Sequence, residues 1–128
     1  MSGFYINEHE LNEEEKTLNR LVIETLRPTN TPVAYMKYNQ PHDTYIVFLF
    51  YNIAPRLTAD DEELITKHFI QMDVFSKFNF LKLNKQIKKL MKEAGFGRMF
   101  ESETYDEDMG MYRKIFRFNF ENNIGEEY

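Results

Sequence analysis

Residues 63–120 decide the fold, and they divide into three pieces with different patterns. The pieces read ELITKHFIQMDVFSK at 63–77, LNKQIKKLMKEAGF at 83–96 and GRMFESETYDEDMGMYRKIFRFNF at 97–120. The first alternates its side chains between two faces, as a strand does. The second repeats apolar residues at helical spacing, and the third places two apolar runs around a turn. The order of strand, helix and hairpin predicts an α+β domain.

The middle piece predicts a helix with two contrasting faces. Its apolar stripe consists of Phe80, Leu83, Ile87, Leu90, Met91 and Ala94. Five lysines lie on the opposite stripe: Lys82, Lys85, Lys88, Lys89 and Lys92. Gly95 follows at the position where a residue in the left-handed conformation commonly ends a helix. Lysines in the last turn also suit the negative end of the helix dipole.

The residues before this segment predict one more helix and two more strands. Residues 8–26 carry an apolar stripe behind early carboxylates, and Pro28 ends the helical pattern. Val33–Tyr38 and Thr44–Ile53 are predicted as strands, and the second is apolar on both faces, as expected of a central strand. The segment PRLTADDEE at 55–63 is predicted as an acidic loop.

The third piece predicts two strands, Phe96–Tyr105 and Met111–Phe120, joined by the turn DEDMG. The predicted element order is therefore α-β-β-β-α-β-β. Short connections favour a mostly antiparallel five-stranded sheet with both helices packed on one face. We expect a single domain over 1–128, with the sheet and second helix at 33–120 and a flexible polar tail at 121–128.

The composition restricts the class of protein. An apolar content of 42% with 16% aromatic residues supports a real core, and the net charge of −5 disfavours a standalone nucleic-acid binder. The absence of cysteine excludes disulfides, thiolate zinc sites and cysteine nucleophiles. The longest apolar stretch, Tyr45–Tyr51, is far shorter than the ~20 residues that cross a bilayer, and the N-terminus carries no secretory signal. We expect a soluble protein made in a cytoplasm, with no membrane partner.

The titratable residues form no recognisable catalytic motif. His9, His42 and His68 lack the i, i+4 spacing of a helical metal pair. His42 and the adjacent Asp43 have the chemistry of a base and its orienting partner, but no nucleophile accompanies them. We therefore expect no catalytic residue, no metal and no cofactor, and a protein that is not an enzyme. A weaker alternative is a metal-dependent enzyme that uses His42, Asp43 and the acidic loops.

Clusters of like charge supply the candidate interaction residues. Acidic clusters lie at 60–63 and 106–108, and neither has the spaced oxygen ligands and central glycine of a calcium loop. The lysine face of the second helix has the charge to meet acidic neighbours in an assembly, or DNA passing nearby. The candidate interface residues are Lys82, Lys85, Lys88, Lys89, Lys92, Asp60, Asp61, Glu62, Asp106 and Asp108.

Three phrases, in this order and spacing, resemble the tail-completion, or tail-to-head joining, proteins of long-tailed bacteriophages. They are DEELITKHFIQMDVFSK, IKKLMKEAGF and TYDEDMGMYRKIFRF. The pattern is a strand ending in Q-x-D-V-F/W-S-K, a helix ending in a GF turn and a Y-E/D-x-D-t-x-x-Y-h-K-x-x-R-F hairpin. The matching residues are Gln71, Asp73, Val74, Phe75, Ser76, Lys77, Gly95, Phe96, Tyr105, Asp106, Asp108, Tyr112, Lys114, Arg117 and Phe118. Arg113 stands where the pattern expects histidine, and the resemblance covers about residues 31–120.

The resemblance implies structural work in virion assembly, as a tail terminator of the siphovirus type. Such a protein caps the finished tail tube, typically as a six-fold ring, and presents a surface to the head. The implied partners are other copies of the chain, the tail tube protein and the head connector protein, with DNA only passing through the lumen. The implied location is the head–tail interface of the virion. A ring uses head-to-tail contacts, so each subunit must expose two different patches.

One alternative belongs to a different class of protein. The same chain is compatible with a soluble, monomeric protein-binding or regulatory module encoded by a phage or prophage, with the lysine face as its contact.

Overall fold

Two helices and one sheet make up the described part of the chain, which in this computed structural model comprises residues 13–40, 42–59 and 62–123. The elements, in chain order, are helix α1 (Glu13–Leu26), a short 3-10 helix (Arg27–Thr29), strands β1 (Val33–Tyr35), β2 (Thr44–Ala59) and β3 (Glu62–Ser76), helix α2 (Leu81–Glu93), and strands β4 (Gly97–Asp106) and β5 (Met111–Asn123). The first part of the predicted first helix, residues 8–12, lies outside the described residues.

The five strands form one sheet in the spatial order β1-β2-β3-β5-β4. All neighbouring strands are antiparallel except β1 and β2, which are parallel, so the sheet is mixed. The prediction of an α+β fold with a mostly antiparallel five-stranded sheet and two helices is confirmed. The strand order across the sheet differs from the stated order along the chain, because β5 lies between β3 and β4.

Strand β1 is shorter than predicted and runs in an unexpected direction. It ends at Tyr35 because Met36 has a positive φ of 69°, which turns the chain out of the extended conformation. A strand of this length spans only about 10 Å. The residues between Tyr35 and Thr44 are therefore enough to bring the chain back to the start of β1. Strand β2 then runs beside β1 in the same direction.

The predicted acidic loop at 55–63 is wrong for most of its length, because β2 and β3 form one long hairpin. Their ladder continues to the pair Ala59 and Glu62, with register shifts between Tyr51 and Thr58. Pro55 is paired with Thr66 of β3, next to the register shift between Pro55 and Leu57. Proline is tolerated in a sheet at such a bulge, where the ladder is already interrupted. Asp60 and Asp61 lie outside the described residues.

The predicted flexible tail also needs correction at its start. Strand β5 does not end at Phe120 but continues to Asn123, which is paired with Ile65 of β3. Residues 121–123 extend the strand because the long β3 pairs with them, whereas the β4–β5 hairpin alone would leave them without a partner. Residues 124–128 lie outside the described residues.

Both helices pack on one face of the sheet, as predicted. The core combines Leu18, Val22 and Leu26 of α1 with Ile87 and Met91 of α2. The sheet contributes every second residue of its central strands: Ile46, Phe48, Ile70, Met72, Val74, Phe116 and Phe118. This periodicity leaves the intervening residues on the opposite face, which no described helix covers.

The end of α2 is fixed by a Schellman motif centred on Gly95. The Gly95 N–H donates to Lys92 O and the Phe96 N–H donates to Met91 O, each at 3.0 Å. Gly95 has a φ of +99°, a conformation that side chains disfavour, and the Phe96 ring that follows is buried. The motif therefore ends the helix and directs the chain into β4.

We expect Gly95→Ala to lower the free energy of unfolding by about 1–2 kcal/mol, because alanine is strained at this φ. Urea unfolding followed by circular dichroism measures it, and the midpoint should fall while the slope stays unchanged. Lys85→Ala, an exposed change on the same helix, should stay within about 0.5 kcal/mol of the parent chain. Equal stabilities of the two variants would contradict the assigned cap.

Candidate interaction surfaces

The predicted interface lysines lie along α2, but they are not equivalent. Lys82, Lys85, Lys89 and Lys92 are exposed, whereas Lys88 is half-buried and forms an ion pair with Glu101 of β4. Among the predicted acidic residues, Asp106 and Asp108 lie at the turn between β4 and β5. Glu62 is the first residue of β3 and pairs with Ala59 in the ladder.

Glu101 is the centre of an ion-pair cluster that joins α2 to the sheet. Its carboxylate lies 2.9 Å from Lys114 Nζ, 2.6 Å from Arg98 Nη1 and 3.3 Å from Lys88 Nζ. Lys114 is buried and also lies 3.2 Å from Glu103. The sequence did not predict this cluster, because only the pairing of β4 with β5 beneath α2 brings these five charged side chains together.

The cluster shifts the pKa values of its central pair in opposite directions. The hydrogen bond from Lys114 lowers the pKa of the Glu101 carboxyl below its ordinary value, against a smaller opposing effect of burial and with help from Lys88. Burial by itself would lower the pKa of the Lys114 ammonium. The hydrogen bonds to Glu101 and Glu103 together outweigh that effect, so the pKa is raised. Both shifts favour the charged forms.

A cationic cleft lies beside this cluster, between the last turns of α2 and the start of β4. It has a volume of about 650 Å³. Its lining includes four cationic side chains and two buried aromatic rings: Lys88, Lys89, Lys92, Arg98, Phe96 and Phe118. The cleft thus combines positive charge with apolar surface. Lys82 and Lys85 are not part of its lining.

The turn between β4 and β5 is acidic and well defined, and we call residues 106–109 the acidic turn. Asp106 Oδ1 accepts a hydrogen bond of 3.0 Å from the Met109 N–H, and Gly110 has a φ of +66°. Glu107 and Asp108 are exposed, and the side chain of Met109 is 43% exposed. One carboxylate therefore holds the turn while two others and a thioether face the solvent.

A row of hydrogen-bonded polar side chains crosses the sheet face that lies away from the helices, here called the open face. Arg113 Nη2 donates to Asp73 Oδ2 at 2.7 Å, and Gln71 Nε2 donates to Asp73 Oδ1 at 3.2 Å. Arg117 Nε donates to Gln71 Oε1 at 3.3 Å. The row joins β3 to β5, and the alternation of side chains along the two strands puts these residues on one face.

Aromatic rings flank this polar row. Tyr38 stacks on Tyr45 at 4.8 Å, and Tyr45 stacks on Phe75 at 5.1 Å between ring centroids. The guanidinium of Arg113 lies over Phe75, and that of Arg117 lies over Tyr51 and Phe100, at 5.3–5.6 Å. Partly exposed arginine and aromatic side chains in contact are typical of protein interfaces.

The two residues of the weaker enzyme alternative have separate partners. His42 Nδ1 is hydrogen-bonded to the Tyr38 hydroxyl, whereas Asp43 lies 3.4 Å from Lys77 Nζ. Asp43 therefore does not orient the ring of His42 in this structure. Within the described ranges, no group of three or more His, Asp or Glu side chains is arranged to hold a metal ion. The same ranges contain no helix of the length and apolarity needed to cross a bilayer.

Removing the charge of Glu101 should produce a stability loss that depends on pH. The pKa of Glu101 is depressed from 4.5, so its contribution is present above that pH and is lost as the pH falls through the folded-state pKa. Glu101→Gln should therefore be less stable than the parent chain by about 1 kcal/mol at neutral pH, with the gap closing below about pH 4.

Urea unfolding at a series of pH values measures this gap. Glu103→Gln removes the same charge from a side chain that is 57% exposed, and it should have a smaller effect. A loss in Glu101→Gln that does not shrink as the pH falls below 4.5 through the acid range would show that packing, and not the ionised carboxylate, is responsible.

Comparison of the chain with known protein families and with curated proteins finds no match.

Proposed function

We propose that this protein is a structural component of a long-tailed bacteriophage, which completes the tail tube and joins it to the head. In this proposal it acts as a ring on the end of the tail. It works through the shape and charge of its surfaces and without catalytic turnover. Its partners are its own copies, the tail tube protein and the head connector protein.

The observation that carries the proposal is where the motif residues lie. Gln71 and Arg117 belong to two separate phrases of the resemblance, yet they are hydrogen-bonded to each other on the open face. Asp73 of the first phrase joins the same row, and Phe75 lies beneath Arg113. These side chains are not needed to fill the core, which lies on the other face of the sheet. Their position supports a role in contacts with other proteins.

The charge distribution also supports an assembly role. The cationic cleft and the acidic turn give an otherwise acidic chain two patches of opposite sign. A subunit of a ring needs two different patches, because each copy meets one neighbour on each side. A monomeric regulatory module would need only one.

Deletion of the reading frame from the parent phage or prophage tests the proposal. Electron microscopy of the lysates should show DNA-filled heads separate from tails, and tails of irregular length. Supplying the parent gene in trans should restore joined particles. Normal virions in the deletion would overturn the proposal and favour the soluble binding module.

We also expect the open face to be needed for this complementation. Gln71→Ala combined with Arg117→Ala should fold, because these side chains are partly exposed, but should fail to restore joined particles. Glu93→Ala, an exposed change on α2 outside the candidate interface residues, is the matched control and should restore them. Full restoration by the open-face variant would show that these motif residues do not act in joining.

A further inference from the structure

The cationic cleft and the acidic turn lie at opposite ends of one hairpin. Arg98 lines the cleft near the start of β4, whereas Asp106 ends that strand at the turn. At about 3.3 Å per residue, the two are separated by about 26 Å along the strand. Because β4 is paired with β5 over this length, the hairpin cannot bend back to place the turn in its own cleft.

The cleft has positive charge that the described side chains do not fully neutralise. Lys88 and Arg98 share the single carboxylate of Glu101, which also accepts from the buried Lys114. Lys89 and Lys92 are exposed, and no described acidic side chain forms an ion pair with either. Lys89 and Lys92 are therefore available to an anionic partner.

The acidic turn offers the complementary chemistry. Glu107 and Asp108 are exposed and have no ion-pair partner among the described side chains. The Met109 side chain next to them is apolar and 43% exposed. The lysine side chains that line the cleft have aliphatic stems, which offer apolar surface beside their charged ends. Carboxylates for the ammonium groups and a thioether for the aliphatic stems are thus present on one short turn.

We propose that the acidic turn of one copy binds in the cationic cleft of the next copy. The contact is heterologous, since it joins two different patches, and repetition of it generates a closed ring or a filament. The inference rests on the proposed function, for which it supplies the contact between neighbouring subunits. It selects Lys89 and Lys92 from the five lysines of α2, and residues 106–109 as their partner.

Charge reversal on each side, followed by mixing, tests the contact. The cleft variant carries Lys89→Glu and Lys92→Glu, and the turn variant carries Glu107→Lys and Asp108→Lys. Self-association of the full chain is measured by sedimentation velocity at low salt over a range of concentrations. Lys82→Glu with Lys85→Glu is the matched control, because it makes the same charge change on α2 outside the cleft. Thermal unfolding of each variant verifies folding.

The parent chain and the control should associate alike. Each of the other two variants alone should associate more weakly, on the order of 100-fold, because like charges then meet at the contact. Mixing these two variants should restore association, since the reversed turn of one copy fits the reversed cleft of the other. The restored assembly should alternate between the two kinds of copy.

Three results would overturn the inference. They are a parent chain that stays monomeric at every concentration, a cleft or turn variant that associates like the parent, and a mixture that associates no better than its components. If the association experiment fails but the deletion lysate contains unjoined heads and tails, the contact is rejected and the proposed function stands. If mixing restores association but the deletion gives normal virions, the contact stands and the proposed function is rejected.

Discussion

The register of β3 is the constraint on which the rest of the structure depends. This strand lies between β2 and β5, so its hydrogen-bonding groups are used on both sides. Its even-numbered residues from Ile70 to Val74 enter the core, and the odd-numbered Gln71 and Asp73 face away from the helices. A slip of one residue would exchange the two sets and bury the polar pair. The core and the open face are therefore fixed by the same pairing.

The parts of the fold that local signals determine were predictable from sequence. Helix α2, its glycine cap and the turn between β4 and β5 each depend on residues close together in the chain. The strand order depends on pairing between strands that are far apart in the chain, which no local pattern encodes. The direction of β1 depends on its short length and on the chain return that begins at Met36. The extension of β2 through Pro55 was missed for a related reason. Proline is accommodated there beside a register shift in the pairing with β3, which is a tertiary feature.

The candidate interaction surfaces also have parts that the sequence predicted and parts that it did not. The lysine stripe of α2 and the acidic turn were visible in the sequence. The sequence did not show that the lysines differ in their ion-pair contacts. Lys88 forms an ion pair with Glu101 of β4, whereas Lys89 lines the cleft and has no ion-pair partner among the described side chains. That difference arises from the position of β4 at the edge of the sheet beneath α2, and strand order is a tertiary property.

The two outer strands of the sheet bear on solubility. An unpaired strand edge is a template for uncontrolled aggregation, and proteins protect such edges in several ways. Here β1 is only three residues long, and β4 has a register shift between Arg98 and Phe100. Antiparallel pairing of two β4 edges centred on Ser102 would also oppose Glu101 and Glu103 of the two chains, and opposed like charges are unfavourable. Edge-to-edge growth into fibrils is thereby disfavoured at β1 and β4, even when many copies are concentrated at one place.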